Sequence, residues 1–81
     1  MSGQQLVEMA NDIATFFAAE PDPAVATLGI ESHLRKFWSP RMRTKLIEQW
    51  RRDDSALTPL AAAAVARLAQ TEQIDEDQPQ Q

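Results

Sequence analysis

The stretch HLRKFWSPRMRTKL, residues 33–46, decides how the chain is divided. Its Ser39-Pro40 step sets a good N-cap side chain before a residue whose fixed φ suits the first helical position. That makes the step a helix start, and the residues before it, through Phe37 and Trp38, a helix end. Asp22-Pro23 and Thr58-Pro59 repeat the same chemistry and mark two further starts. Ser2 and Gln5 fit a capping box and mark another at the front. Strand signals are weak, since few β-branched residues alternate and no Asn-Gly or Asp-Gly pair is present to turn a hairpin. The expected fold is all-α, a small bundle of short helices over about 4–19, 23–38, 40–52 and 59–70. These make one domain, 1–71, and the acidic, Gln-rich residues 72–81 are expected to form a flexible tail.

Helical periodicity assigns faces. In the first helix Leu6, Met9, Ala10, Ile13, Phe16 and Phe17 form one stripe, opposite Glu8, Asp12 and Thr15. The second is less regular. Ile30, Leu34, Phe37 and Trp38 share a stripe, while Val25 and Leu28 point almost the other way. Either this helix breaks near Gly29, or it is covered on two sides. Met42, Leu46, Ile47 and Trp50 line the third helix, and Leu60, Ala61, Ala64, Val65 and Leu68 the fourth. Alanine is a strong helix former and lets a neighbouring helix come close.

Composition narrows the chemistry. The chain has 81 residues, no cysteine and one histidine. Disulfides, iron–sulfur clusters and thiolate zinc sites are excluded, as is a histidine-rich metal site within one chain. No apolar run approaches the roughly 20 residues of a membrane span. The N-terminus lacks the basic start and apolar stretch of a secretory signal. A soluble, cytoplasmic protein is expected. At this size hydrophobic burial and ordering entropy nearly cancel, so the chain needs a good helical core or a partner.

Charge is segregated. Seven of the eight Lys and Arg lie between Arg35 and Arg52, within a chain of net charge −4. Residues 1–32 hold five acids and no Lys or Arg. Arg35, Lys36, Arg51 and Arg52 stand at helix C-termini, where the dipole favours cations. Arg41 and Arg43 do not, because they fall in the first turn of the third helix. Arg41 shares a polar face with Lys45 and Arg52, whereas Arg43 falls between Ile47 and Trp50 in the apolar stripe. An arginine there snorkels, pairs with a carboxylate, or faces another molecule. Contact with a partner and an internal pair with an acid of the first or second helix stay equally open.

Phe37, Trp38 and Trp50 read most simply as core. His33 reads as a surface or interface side chain, because no thiol, tyrosine or Gly-rich phosphate loop accompanies it. No self-contained active site is visible. A nucleic-acid-binding domain is the alternative, suggested by the basic block over 35–52, its interleaved aromatics and the turn between helices. A pI of about 4.7 and acidic flanks oppose it. Nor do the first and fourth helices carry the rows of Lys and Arg of a membrane-surface helix.

The run HLRKFWSPRMR, residues 33–43, resembles the signature of the delta subunit of NAD-dependent, molybdenum- or tungsten-containing formate dehydrogenases, His-aliphatic-Arg-Lys-Phe-Trp-x-Pro-Arg-Met-Arg. LVEMANDIATFF (6–17) is similar to that family's first helix, and LTPLAAAAVARL (57–68) to its last. Glu8 stands where the family often has a basic residue. The motif positions are His33, Arg35, Lys36, Phe37, Trp38, Pro40, Arg41, Met42 and Arg43. The resemblance implies an accessory subunit without cofactors in a cytoplasmic complex that oxidises formate to carbon dioxide and reduces NAD. Larger subunits would hold the molybdenum cofactor, iron–sulfur clusters and FMN and would bind NAD. The implied role is assembly, cofactor insertion or stability, with the catalytic alpha subunit as the expected partner. Arg35, Lys36, Trp38, Arg41, Met42 and Arg43 are the candidate partner-binding residues.

Overall fold

Each expected helix start is present with its cap. The computed structural model describes residues 2–77, with side chains for residues 2–72. Ser2 and Gln5 form the reciprocal capping box of α1 (Gly3–Phe17), both bonds at 3.1 Å. Asp22 accepts from the Ala24 N–H at 3.0 Å to open α2 (Pro23–Phe37). The Ser39 hydroxyl accepts from the Met42 N–H at 3.2 Å at the start of α3 (Pro40–Arg52). Thr58 accepts from the Ala61 N–H at 3.3 Å at the start of α4 (Pro59–Asp77). Such side chains satisfy N–H groups that the first helical turn leaves without partners, for about 1 kcal/mol each.

The helices enclose one core. Its fully buried side chains include Leu6 from α1, Ile30 and Leu34 from α2, Leu46 from α3, and Val65 and Leu68 from α4. The α4 helix lies most extensively on α2 and also touches α1 and α3. Ala61 and Ala64 are wholly buried on it, so their small side chains set a close approach. Between α3 and α4 a 3-10 turn, Asp54–Ala56, was not expected from the sequence. The Asn11 side chain of α1 braces that connection, donating to the Ala56 carbonyl at 3.0 Å and accepting from the Thr58 N–H at 2.9 Å.

Several faces differ from expectation. The α2 helix does not break at Gly29, and within this chain its second face is not covered either: Val25 and Leu28 are about half exposed. Gly29 has a packing reason instead. A Cβ there would stand 2.6 Å from Cε1 of Phe17, so the missing side chain admits the Phe17 ring of α1. Phe16 is 77% exposed rather than inward. The buried arc of α1 centres on Leu6, Val7, Ala10 and Ala14; Met9, Ile13 and Phe17 border it, and Phe16 falls beyond. Phe37 is 72% exposed, also against expectation. The inward line of α2 runs Ile30, Leu34, Trp38 at intervals of four, so Trp38 takes the last inward place. The α4 helix continues to Asp77 rather than ending near Gln70, and Glu72 belongs to it. The tail expected over 72–81 otherwise lies mostly outside the residues whose side chains are described.

Candidate functional site

The corner between α2 and α3 sorts the six candidate residues into an inward and an outward set. Trp38 is buried, 6% exposed, and its backbone caps α2 by donating to the Leu34 carbonyl at 3.1 Å. One residue later Ser39 starts α3, so the chain turns with no intervening loop.

Arg43 resolves inward. Its Nη1 donates to the carbonyls of Trp38 at 2.6 Å and Arg35 at 3.3 Å. Its Nε lies 3.3 Å from Glu72 Oε2, an ion pair without hydrogen-bond alignment. The acid comes from α4, not from α1 or α2 as the sequence suggested. The local electrostatics now balance. The cation is misplaced on its own helix, but its guanidinium rests on the carbonyl end of α2, where positive charge is stabilised.

Arg35 is also engaged internally. Its Nη2 and Nε donate to Glu31 Oε2 at 2.7 and 3.2 Å, one turn back along α2. The other oxygen of Glu31 accepts from Arg67 Nε of α4 at 2.7 Å. Glu31 is the one buried charged residue among those described, 8% exposed. Burial pushes its carboxyl up, but hydrogen bonds from Arg35 and Arg67, with their charges, outweigh that and hold it below the ordinary carboxylate value. Sequence reasoning missed this cluster. The i,i+4 spacing of Glu31 and Arg35 was a readable signal; Arg67 carried none.

What remains at the surface is a smaller set. Lys36, Phe37 and Arg41 are exposed. Neither cation makes a hydrogen bond or ion pair among the described residues. Arg41 and Met42 line, with Leu6 and Lys45, a shallow depression of about 100 Å³. His33 is half-buried one turn before Phe37, with ring centroids 4.9 Å apart. The exposed ring ends α2, and Arg41 and Met42 lie in the first turn of α3, so they share one corner of the molecule.

The depression is too small for a cofactor, whose pockets run from roughly 300 Å³ upward. With no cysteine, the chain has no thiolates to hold an iron–sulfur cluster. Among the described residues no group of three His, Asp or Glu side chains is placed to hold a metal ion. No helix among them is long and apolar enough to cross a membrane.

Compared with known proteins, the chain matches over residues 5–65 the family model for the NADH-dependent formate dehydrogenase delta subunit FdsD. The match spans α1, α2, α3 and the start of α4, and includes the whole 33–43 run. No curated protein and no solved structure matches the chain significantly.

Proposed function

The chain belongs to the delta-subunit family of NADH-dependent formate dehydrogenase, and from that premise we propose that it is a non-catalytic accessory subunit of the cytoplasmic complex. Other subunits of that complex oxidise formate to carbon dioxide, reduce NAD, and hold the molybdenum cofactor, iron–sulfur clusters and FMN. This chain holds none of these groups. It supports assembly, cofactor insertion or stability of the active complex through protein contacts, and the catalytic alpha subunit is its main partner.

The observation that carries this reading is the family match across most of the folded chain. Two features of the molecule support it. Its only imidazole packs against a phenylalanine ring, with no thiol, phosphate loop or metal-ligand cluster beside it. Its outer surface carries single large apolar side chains, Phe16, Val25, Leu28 and Phe37, that its own core leaves uncovered. The competing reading, a nucleic-acid-binding domain, loses part of its motivation. Arg35 and Arg43 are spent on internal bonds, which leaves a broken track of cations for phosphates.

The test is to purify the tagged full-length chain from its native cell and identify what accompanies it, together with the effect of its deletion on formate oxidation. Recovery of formate dehydrogenase subunits and reduced formate oxidation in the deletion strain are expected. If none is recovered and formate oxidation is unchanged, the reading is wrong.

A further inference from the structure

Among the described residues four large apolar side chains are exposed, and they differ in their surroundings. Phe16, Val25 and Leu28 lie within residues 1–32, a segment with five acids and no Lys or Arg. Phe37 alone stands in the basic segment. It is 72% exposed, packed on His33 at 4.9 Å, and bracketed along the chain by Lys36 and Arg41. Lys36 and Arg41 have no partner among the described residues, and Arg52 on the Arg41 face of α3 has none either. Next to Arg41 the depression has an apolar floor, Leu6 and Met42, and a cationic rim, Arg41 and Lys45. Its volume of about 100 Å³ suits one side chain rather than a small-molecule ligand.

An aromatic anchor, a side-chain-sized apolar recess and the exposed cations Lys36 and Arg41 beside them are the ingredients of an interface hot spot. The charge specifies the partner. Lys36 and Arg41, both exposed, attract a carboxylate-bearing surface and repel a basic one. We propose that the α2–α3 corner docks an acidic segment of another formate dehydrogenase subunit. That segment seats an apolar side chain against Met42, over the buried Leu6, and its carboxylates meet Lys36 and Arg41. The inference rests on the subunit reading above and adds to it the face used and the chemistry of the surface it meets. It also redraws the candidate set. Lys36, Arg41 and Met42 stay in it, Phe37 joins it, and Arg35, Trp38 and Arg43 act by holding the corner in shape.

The experiment titrates the purified full-length chain onto formate dehydrogenase complex isolated from a strain lacking it. Wild type is compared with Lys36→Glu, Phe37→Ser and Arg41→Glu, all solvent-facing and outside the internal bonds. Phe16→Ser and Leu28→Ser report on the other exposed faces. Circular dichroism establishes that each variant is folded. The expected result is that each corner variant weakens binding by about tenfold or more, while the two comparison variants bind as wild type. Raising salt from about 0.1 M to about 0.5 M should weaken wild-type binding and have less effect on Arg41→Glu. Tight wild-type binding with no loss in the corner variants overturns the inference and leaves the subunit reading standing. So does loss confined to Phe16→Ser or Leu28→Ser. If the corner variants instead abolish self-association measured by sedimentation, and leave binding to the complex intact, the occupant is a second copy and the inference is overturned. Failure of the wild-type chain to bind the complex at all overturns the subunit reading and this inference with it.

Discussion

The guanidinium of Arg43 reaches back across the Ser39-Pro40 corner to the last carbonyls of α2 and meets Glu72 of α4 beside them. One side chain thereby ties three helices. Its position in an apolar stripe was legible in the sequence; the identity of its carboxylate was not, because Glu72 read as part of a tail. Arg43→Ala leaves carbonyls and a half-buried carboxylate without their donor, and should destabilise the fold by about 2–3 kcal/mol in urea unfolding. Arg52→Ala, at an exposed position without internal bonds, should change stability by less than about 0.5 kcal/mol. Any loss of association in Arg43→Ala then follows from the fold, whereas loss in Arg41→Glu does not. Glu31 makes the second residue-level prediction. Its carboxyl is held below the ordinary value in the folded state, so the unfolded state takes up its proton first as pH falls. The stabilisation is present above the unfolded value, near 4.5, and is lost as pH drops through the lower folded one. Glu31→Gln should lower stability by about 1–2 kcal/mol at about pH 7, and the difference from wild type should shrink as pH falls below the unfolded value, because the unfolded state takes up the proton first.

At the scale of elements, helix starts were the most readable features. A capping side chain and a proline act within three or four residues, and Ser2, Asp22, Ser39 and Thr58 all perform as the sequence implied. Helix faces were less readable. The apolar stripe of α1 is wider than its buried arc, and only the neighbours decide which part is covered. Contact went to the side with Val7, Ala10 and Ala14, leaving Phe16 outside. Gly29 teaches the same lesson in reverse. Alone it looked like a weak point of α2, since glycine costs about 1 kcal/mol in a helix interior relative to alanine. Beside Phe17 it is a recess, with a hypothetical Cβ only 2.6 Å from the ring. Gly29→Ala should therefore destabilise the protein despite its better helix propensity. Combined with Phe17→Leu, the same change should be less harmful, or stabilising, relative to Phe17→Leu alone. Equal effects in both backgrounds, measured as unfolding free energies in a double-mutant cycle, would refute the steric account.

For the whole molecule, the length of α4 matters most. The helix carries both Arg67, which meets Glu31, and Glu72, which meets Arg43, so it closes the ionic contacts of α2 and α3 as well as their apolar core. A chain truncated after Thr71 should stay helical by circular dichroism and lose about 1–2 kcal/mol, mostly through the orphaned Arg43. If Arg43→Ala is introduced first, the truncation should matter much less. The sequence by itself determined the helix count, their starts, the segregation of charge and, through the 33–43 motif, the family. These depend on residues close together along the chain, whose caps, dipoles and motif spacing act locally. Only the tertiary structure decided which arginines are bonded within the chain and which stay exposed. It gave Arg35 and Arg43 to Glu31, Glu72 and the end of α2, turned Trp38 inward, and left Lys36, Phe37 and Arg41 outside. That choice turns on distances of a few ångströms between residues far apart in sequence, set when the small side chains of α1 and α4 draw the helices together.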